Sequence, residues 1–489
     1  MITFILSLLA LVLGYFVYGR FVERVFGPDD RETPAIAKAD GVDFMVLPNW
    51  KIFMIQFLNI AGTGPIFGAI MGAKFGPSAY LWIVFGCIFA GATHDYLSGM
   101  ISMRKGGVGL PEVIGDVLRE RTRKLMLVFS VVLLTMVGAV FVYSPAEILD
   151  GMAGTTTMWI IIIFAYYFIA TMLPVDKVIG RIYPIFAFSL LFMAGALMVV
   201  LFLKWPSVPE LWDGLGNKAL TVDSSWSSQL YPCLFITIAC GAISGFHATQ
   251  SPLMGRCMKS ERMGRPIFYG AMITEGVVAL IWATVASYFF YAEPQPGYQV
   301  ITEFANNGFS TSAPKVVNII CNDWLGVAGG ILAMLGVVAA PITSGDTALR
   351  SARLIIADFI RIEQRTIKRR LLISVPLFLC CIALLLWQVE NPDGFNVIWQ
   401  YFGWSNQTLS VFTLWAITVY LLQNGKPYYF MLIPALFMTT ICATYLFVSK
   451  QAFGMPDTIG YILGVVVLIV AYGWFHIYES KYKKNNKIS

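Results

Sequence analysis

The sequence predicts an all-α polytopic membrane protein with about thirteen transmembrane helices, ten of them arranged as an inverted repeat of five and five. Three observations predict this. The 489 residues are 57% hydrophobic and only 13% charged, where soluble domains carry roughly 25% charged residues. Apolar runs of about 17–25 residues, the length that spans a bilayer as a helix, recur from end to end. Two of these runs, five spans apart, are interrupted by glycine and proline in the same style.

The expected spans are 2–19, 51–73, 78–103, 125–149, 157–173, 183–204, 229–250, 266–291, 324–349, 371–389, 396–422, 428–449 and 457–478. With these spans the loops alternate between two sides, and 29 of the 34 Lys and Arg fall on one of them. By the positive-inside rule that side is cytoplasmic, which puts the N-terminus outside and the C-terminus inside. The net charge of +6 is therefore a topology signal, and no nucleic-acid partner is expected. The opening MITFILSLLALVLGYFVYGR lacks a basic n-region and a small-residue cleavage site, so it reads as a retained first helix. The chain forms one transmembrane domain, 1–489. In it 1–50 is an added helix and loop, 51–204 the first repeat, 229–422 the second and 428–478 two added helices.

The first interruption is NIAGTGPIFG, residues 59–68, in the middle of span two. Glycine and proline weaken or end a helix, and a broken backbone at membrane depth is tolerated only where it lines a cavity or is buried in protein. The second is CGAISGFHATQSP, residues 240–252, in span seven. Five is an odd offset, so two five-helix units in series run in opposite directions. Paired interruptions in inverted halves point to a transporter binding site. Small residues that merely permit close helix packing are the competing reading.

Ionisable residues inside spans are functional candidates. Asp95 in span three lies nine residues from Arg104, about 13 Å from that helix end at 1.5 Å per residue. Gly91, Asp95, Ser98 and Ser102 make one small, polar stripe. Glu275 in span eight lies ten residues past Arg265, about 15 Å deep. Spans three and eight are counterparts in the repeat, so each half carries one buried carboxylate, able to take a proton. His94 and His247 lie in or beside the glycine-rich segments and could shuttle protons. With Asp95 they could also form a metal site, but the ligand spacing is not diagnostic and no metal is expected. In span nine, PITSGDTALR offers the Thr343 and Ser344 hydroxyls, and Asp346 precedes Arg350 by four, an expected helical ion pair. Span eleven offers Trp404, Ser405, Asn406 and Gln407. The eight cysteines are scattered and read as small buried hydrophobes. The segment 104–124 reads as a glycine turn followed by a short amphipathic helix. No HExxH, GxSxG or cysteine–histidine set marks an enzyme, and none is expected.

With NIAGTGPI, HDYLSGMISMRKGG, GFHATQSP and PITSGDTALR together, the chain resembles the carbon starvation protein A (CstA) family. The resemblance implies a transporter of the bacterial inner membrane with a LeuT-like fold. It implies uptake of pyruvate, the favoured cargo, or of short peptides, by proton symport. Spans two to six and seven to eleven would then be the repeats. Asn59, Ala61, Gly62, Thr63 and Gly64 would line the substrate site from one side, and Ala242, Ser244, Gly245, His247 and Gln250 from the other. Asp95, His94 and Glu275 would couple protons. Thr343 and Ser344 occupy the helix that offers hydroxyls to a cation in LeuT-like sodium symporters, so Na⁺ coupling of an amino acid or peptide is the alternative. No cofactor is implied; the partners are a small molecule and the bilayer.

Overall fold

The computed structural model describes residues 1–486 except 41–43, 119, 151–153, 173–174, 220–226, 228, 294–299, 301–311, 363, 365 and 392–393, with backbone alone at 175–182, 327–329, 332–334, 358 and 396. Among the described residues every regular element is helical. Seven helices are long and apolar enough to cross a membrane, eight if the bent pair Asn49–Ala61 and Gly64–Ala73 is one span. The chain is a multi-pass membrane protein.

The span numbers serve as labels for what lies at those positions. Span two is broken where glycine and proline were read as breakers, with a bend of 51° between its halves. Span seven is helical over Leu230–Thr237 and again over His247–Gly255, with 238–246 between them outside helix. Span three is continuous but carries a wide π turn at Gly86–Gly91, as does span eight at Arg265–Tyr269. Such turns insert one residue into the ladder and are frequent at functional sites. Span nine is the long helix Ala313–Ile360, which starts before the predicted residue 324 and holds a non-helical Gly326. The amphipathic helix expected in 104–124 is Leu110–Leu118, burying Leu110, Pro111, Val113 and Ile114. Much of the predicted outer loop 292–323 lies outside the described residues.

Two packed bodies result. The halves of spans two and seven pack with spans three and eight, around Ile55, Leu58, Phe67, Ala242, Met272 and Trp282. Span four packs along span nine and against spans five and ten, around Leu133, Val137, Phe141, Tyr167, Leu349 and Phe378. At the Arg104 end, buried Glu261 accepts from Arg104 Nε at 3.0 Å and Nη2 at 2.9 Å. Arg104 also donates to the Gly27 carbonyl at 2.6 Å, which ties the segment after span one to spans three and eight.

Close approach of span three to the break in span seven requires Gly91, since a Cβ there would stand 2.2 Å from the Ala242 carbonyl oxygen. That neighbour is backbone and cannot rotate away. Gly91→Val should therefore cost about 3 kcal/mol, the upper end for overpacked cores, seen as loss of monodisperse protein or a large fall in Tm in detergent. Gly195→Ala, where nothing lies within 4 Å, should leave Tm unchanged; equal effects of the two would contradict the packing.

Candidate functional site

The break in span two begins at Gly62, whose φ of +40° and ψ of −141° suit glycine and strain any residue with a Cβ. It frees the carbonyls of the turn before it. Two of these, Leu58 O and Asn59 O, accept from Ser344 Oγ of span nine at 3.0 and 3.2 Å. A Cβ on Gly62 would meet the Phe141 ring at 3.0 Å and Ser344 Oγ at 3.4 Å. Gly62 is thus packed between spans four and nine, not open to a cavity as a substrate-lining position was expected to be. Thr343, paired with Ser344 in the sequence reading, turns its hydroxyl back to Ala339 and Ala340 of its own helix.

The break in span seven is stitched by four other side chains. Trp82 Nε1 donates to Ile238 O at 2.9 Å. Gly241, at φ +91°, donates its N–H to Glu275 Oε1 at 3.1 Å. Asn406 Oδ1 accepts from Phe246 N at 2.7 Å and from Ser244 Oγ at 3.1 Å. Its carbonyl accepts from Gly245 N at 3.2 Å, and Gln407 Nε2 donates to Phe235 O at 2.9 Å. The N–H groups just before the second half-helix are therefore occupied by Asn406, and those of His247, Ala248 and Thr249 by the Ser244, Gly245 and Phe246 carbonyls.

Beside the break in span seven runs a chain of buried acids and bases. His94 Nδ1 and Asp95 Oδ1 are 2.8 Å apart, and Asp95 Oδ2 and His247 Nδ1 are 2.9 Å apart. His247 Nε2 faces Glu275 Oε2 at 3.5 Å, and Glu275 returns to the span-seven backbone through Gly241. All four side chains are fully buried. The sequence reading placed these residues in the site one by one; the structure joins them. A carboxylate shared by two imidazoles fixes their ring orientations and lets charge move along the chain by proton transfer between neighbours.

The site also contains residues the sequence reading missed. Cys240 Sγ, His247 Nε2 and Glu275 Oε2 lie within 4.8 Å of one another, close enough to share a borderline-soft divalent ion. Cys240 was read as a plain hydrophobe; its position opening the CGAISGFHATQSP segment was the available signal. Gln56 donates to Ser251 Oγ at 3.3 Å and so links the halves of spans two and seven. It precedes Asn59 and Thr63 at helical spacing, which the sequence shows. Buried atoms without a partner include Gln56 Oε1, both side-chain atoms of Asn59, Thr63 Oγ1 and Gln250 Oε1. Ala61, Gly64 and Ala242 are buried close-packing positions, a Cβ on Gly64 falling 2.1 Å from Cys240 Cβ. The expected Asp346–Arg350 pair is replaced by other bonds. Asp346 Oδ2 accepts from Tyr183 OH at 2.9 Å, and Arg350 Nη2 donates to the Ala170 carbonyl at 2.6 Å. The span-six tyrosine and the span-five carbonyl are nearer partners than one turn of the same helix.

The family model of the carbon starvation protein CstA matches residues 1–156, 142–308 and 305–445. The chain belongs to this family. It is 43% identical over 60% of its length to an uncharacterized membrane protein of Haemophilus influenzae, of which it covers 92%. It is 26% identical over 96% of its length to a Bacillus subtilis protein named peptide transporter CstA, of which it covers 94%. A solved Na⁺-coupled sialic acid symporter in a substrate-bound outward-open state shares the fold, with a TM-score of 0.57 and 13% identity over 96% of each chain.

Asn406→Ala strands the Phe246 N–H and the Ser244 hydroxyl in a buried place, at about 1–3 kcal/mol each. It should lower Tm in detergent clearly more than Asn406→Asp, which keeps an acceptor oxygen. Equal Tm values for the two variants would show that Asn406 does not hold the break.

Proposed function

We propose that this CstA-family chain is a secondary active transporter of the bacterial inner membrane that imports a short peptide or small organic acid together with protons. The observation that carries the reading is the acid–base chain His94–Asp95–His247, hydrogen-bonded throughout and facing Glu275 at 3.5 Å, which joins spans three, seven and eight beside the break in span seven. A symporter needs a group whose protonation is felt by the moving helices. Here Asp95 and Glu275 are tied by hydrogen bonds to the start of one half-helix and to the unwound backbone before it, so a change of proton number alters bonds that shape the break.

The wider arrangement is LeuT-like. Spans two, three, seven and eight form a bundle, spans four, five, nine and ten a scaffold, and spans one, twelve and thirteen are additions. Rocking of bundle against scaffold gives alternating access. The Lys and Arg distribution places the N-terminus outside and the C-terminus in the cytoplasm.

Hydrogen bonding favours a cargo with N–H groups. Ser251 Oγ already donates to His247 O at 3.1 Å, so the Gln56 amide must donate to Ser251. Thr249 Oγ1 likewise donates to Phe246 O at 2.6 Å, so Gln250 must donate to Thr249. These orientations leave the Gln56 and Gln250 carbonyl oxygens unpartnered, with Asn59 offering both a donor and an acceptor. A peptide bond or amino group meets such acceptors; pyruvate, the cargo first expected, offers acceptors only. The relatives named peptide transporters support the same choice. Na⁺ coupling is the second reading, favoured by Ser344 Oγ beside the Leu58 and Asn59 carbonyls.

Uptake of radiolabelled dialanine and pyruvate into proteoliposomes, with EDTA present, tests both readings under an imposed proton gradient with and without Na⁺. Dialanine uptake should collapse with an uncoupler and ignore Na⁺. Asp95→Asn should lose gradient-driven uptake yet keep cargo counterflow. Uptake that requires Na⁺, or an Asp95→Asn protein that still concentrates cargo, would overturn proton coupling through this chain.

A further inference from the structure

We infer that the glycine-hinged helix Leu110–Leu118 is the gate that closes the cytoplasmic end of the route from the acid–base chain, and that Leu110 and Val113 are its plug. The inference rests on the transport reading and on the orientation proposed above.

On span three, Asp95, Ser98 and Ser102 follow one another on one face toward the Arg104 end. Ser98 Oγ donates to the Asp95 carbonyl at 3.2 Å. Beyond Ser98 the stripe opens on a gap of about 10 Å³ between spans three, seven and eleven and the short helix, the room of roughly one water. Its walls include Ser98, Ser102 and Pro252 on one side and Leu110, Val113 and Thr413 on the other. Ile101, Ala248, Ala416 and Ile417 complete the lining, and both serine hydroxyls already donate to the Asp95 and Val108 carbonyls, so the gap is narrow, apolar and shut to water. Leu110 and Val113 are 4% and 5% exposed, whereas Asp116, one turn beyond Val113, is exposed and pairs with Lys105 at 2.8 Å.

The helix is built to move relative to span three. Gly106 and Gly107, at φ +83° and +78°, form a two-residue left-handed joint that only glycine adopts without strain. The joint's amides close the end of span three, Gly107 N donating to Ser102 O at 2.8 Å and Gly106 N to Met103 O at 3.0 Å, and one side chain meets each carbonyl of Gly106, Gly107 and Val108. Ser102 Oγ donates to Val108 O at 2.6 Å, Arg256 Nε to Gly107 O at 2.8 Å and Lys38 Nζ to Gly106 O at 2.9 Å. Beyond the joint the helix packs along span four, with Gly115 against the Arg123 side chain. It therefore travels with the scaffold, while Ser98, Ser102 and Pro252 travel with the bundle. Rocking separates the two walls at this seam, and the Arg256 bond, which crosses it from the end of span seven, must break.

Ser98→Cys, in a background where exposed Cys380 is serine and the other seven cysteines are buried, reports on the gap. Its labelling by a membrane-impermeant maleimide is followed in inside-out vesicles, with the background protein as baseline. Labelling should be slow with the native helix and about tenfold faster in Leu110→Ala/Val113→Ala, through a larger open population. Arg256→Ala, which removes no buried side chain, should also speed it. Unchanged labelling in both variants overturns the gate. Cargo uptake by the same proteins separates the two claims. Normal uptake with unchanged labelling removes the gate alone, whereas faster labelling without uptake of any cargo leaves the gate standing and removes the transport reading.

Discussion

Hydrocarbon offers no hydrogen bonds, so every backbone group freed by a broken helix must be met by protein. The rest of this structure follows from that constraint. Two helices are broken at membrane depth, and each break is held by side chains of helices distant in sequence. Ser344 meets the carbonyls before the break in span two. Trp82, Glu275, Asn406 and Gln407 meet the groups around the break in span seven. These bonds place spans three, eight, nine and eleven around the breaks and so fix which helices surround the site. An unsatisfied backbone group would cost several kcal/mol in lipid, more than any one packing contact returns.

The second consequence concerns charge. Isolated buried carboxylates are expensive, and removing one partner of a buried pair is strongly destabilising. Asp95 is tolerated because both its oxygens meet imidazoles, and Glu275 because Oε1 accepts from Gly241 N at 3.1 Å while Oε2 faces His247 Nε2 at 3.5 Å. His247 stands between them and reads both. Its ring is reached from Asp95 through Nδ1 and from Glu275 through Nε2. Because His247 also begins the second half of span seven, a change in its protonation would alter the bonds at the start of that half-helix. Differential contact of this kind is what couples an ion to a conformational equilibrium.

Much of this was legible in the sequence. The breaks in spans two and seven were visible because glycine and proline stand out in an apolar run, and the structure breaks there. Asp95, His94, His247 and Glu275 were visible because ionisable residues in a span are costly. Their mutual distances were not legible, since they depend on how spans three, seven and eight cross. Asn406 could be named as a polar residue in span eleven, but its role as cap of a half-helix belongs to tertiary packing. Gln56 was masked by the amphipathic look of a helix start, and Cys240 by the ordinary habit of cysteine to be buried. Thr343 Oγ1 donates within its own helix, whereas Ser344, about 100° around that helix, reaches the span-two carbonyls. Asp346 and Arg350 were read from helical spacing alone, and stronger partners on spans five and six took them.

The central claim is that cargo binding and proton binding meet at one buried chain. Purified protein in weakly buffered detergent solution, with a pH-sensitive dye, tests it without a membrane or a gradient. Adding a saturating peptide cargo near neutral pH should produce a stoichiometric change in bound protons that is lost in Asp95→Asn, while calorimetry still shows cargo binding. Cargo binding with no proton change in the wild-type protein would contradict the account.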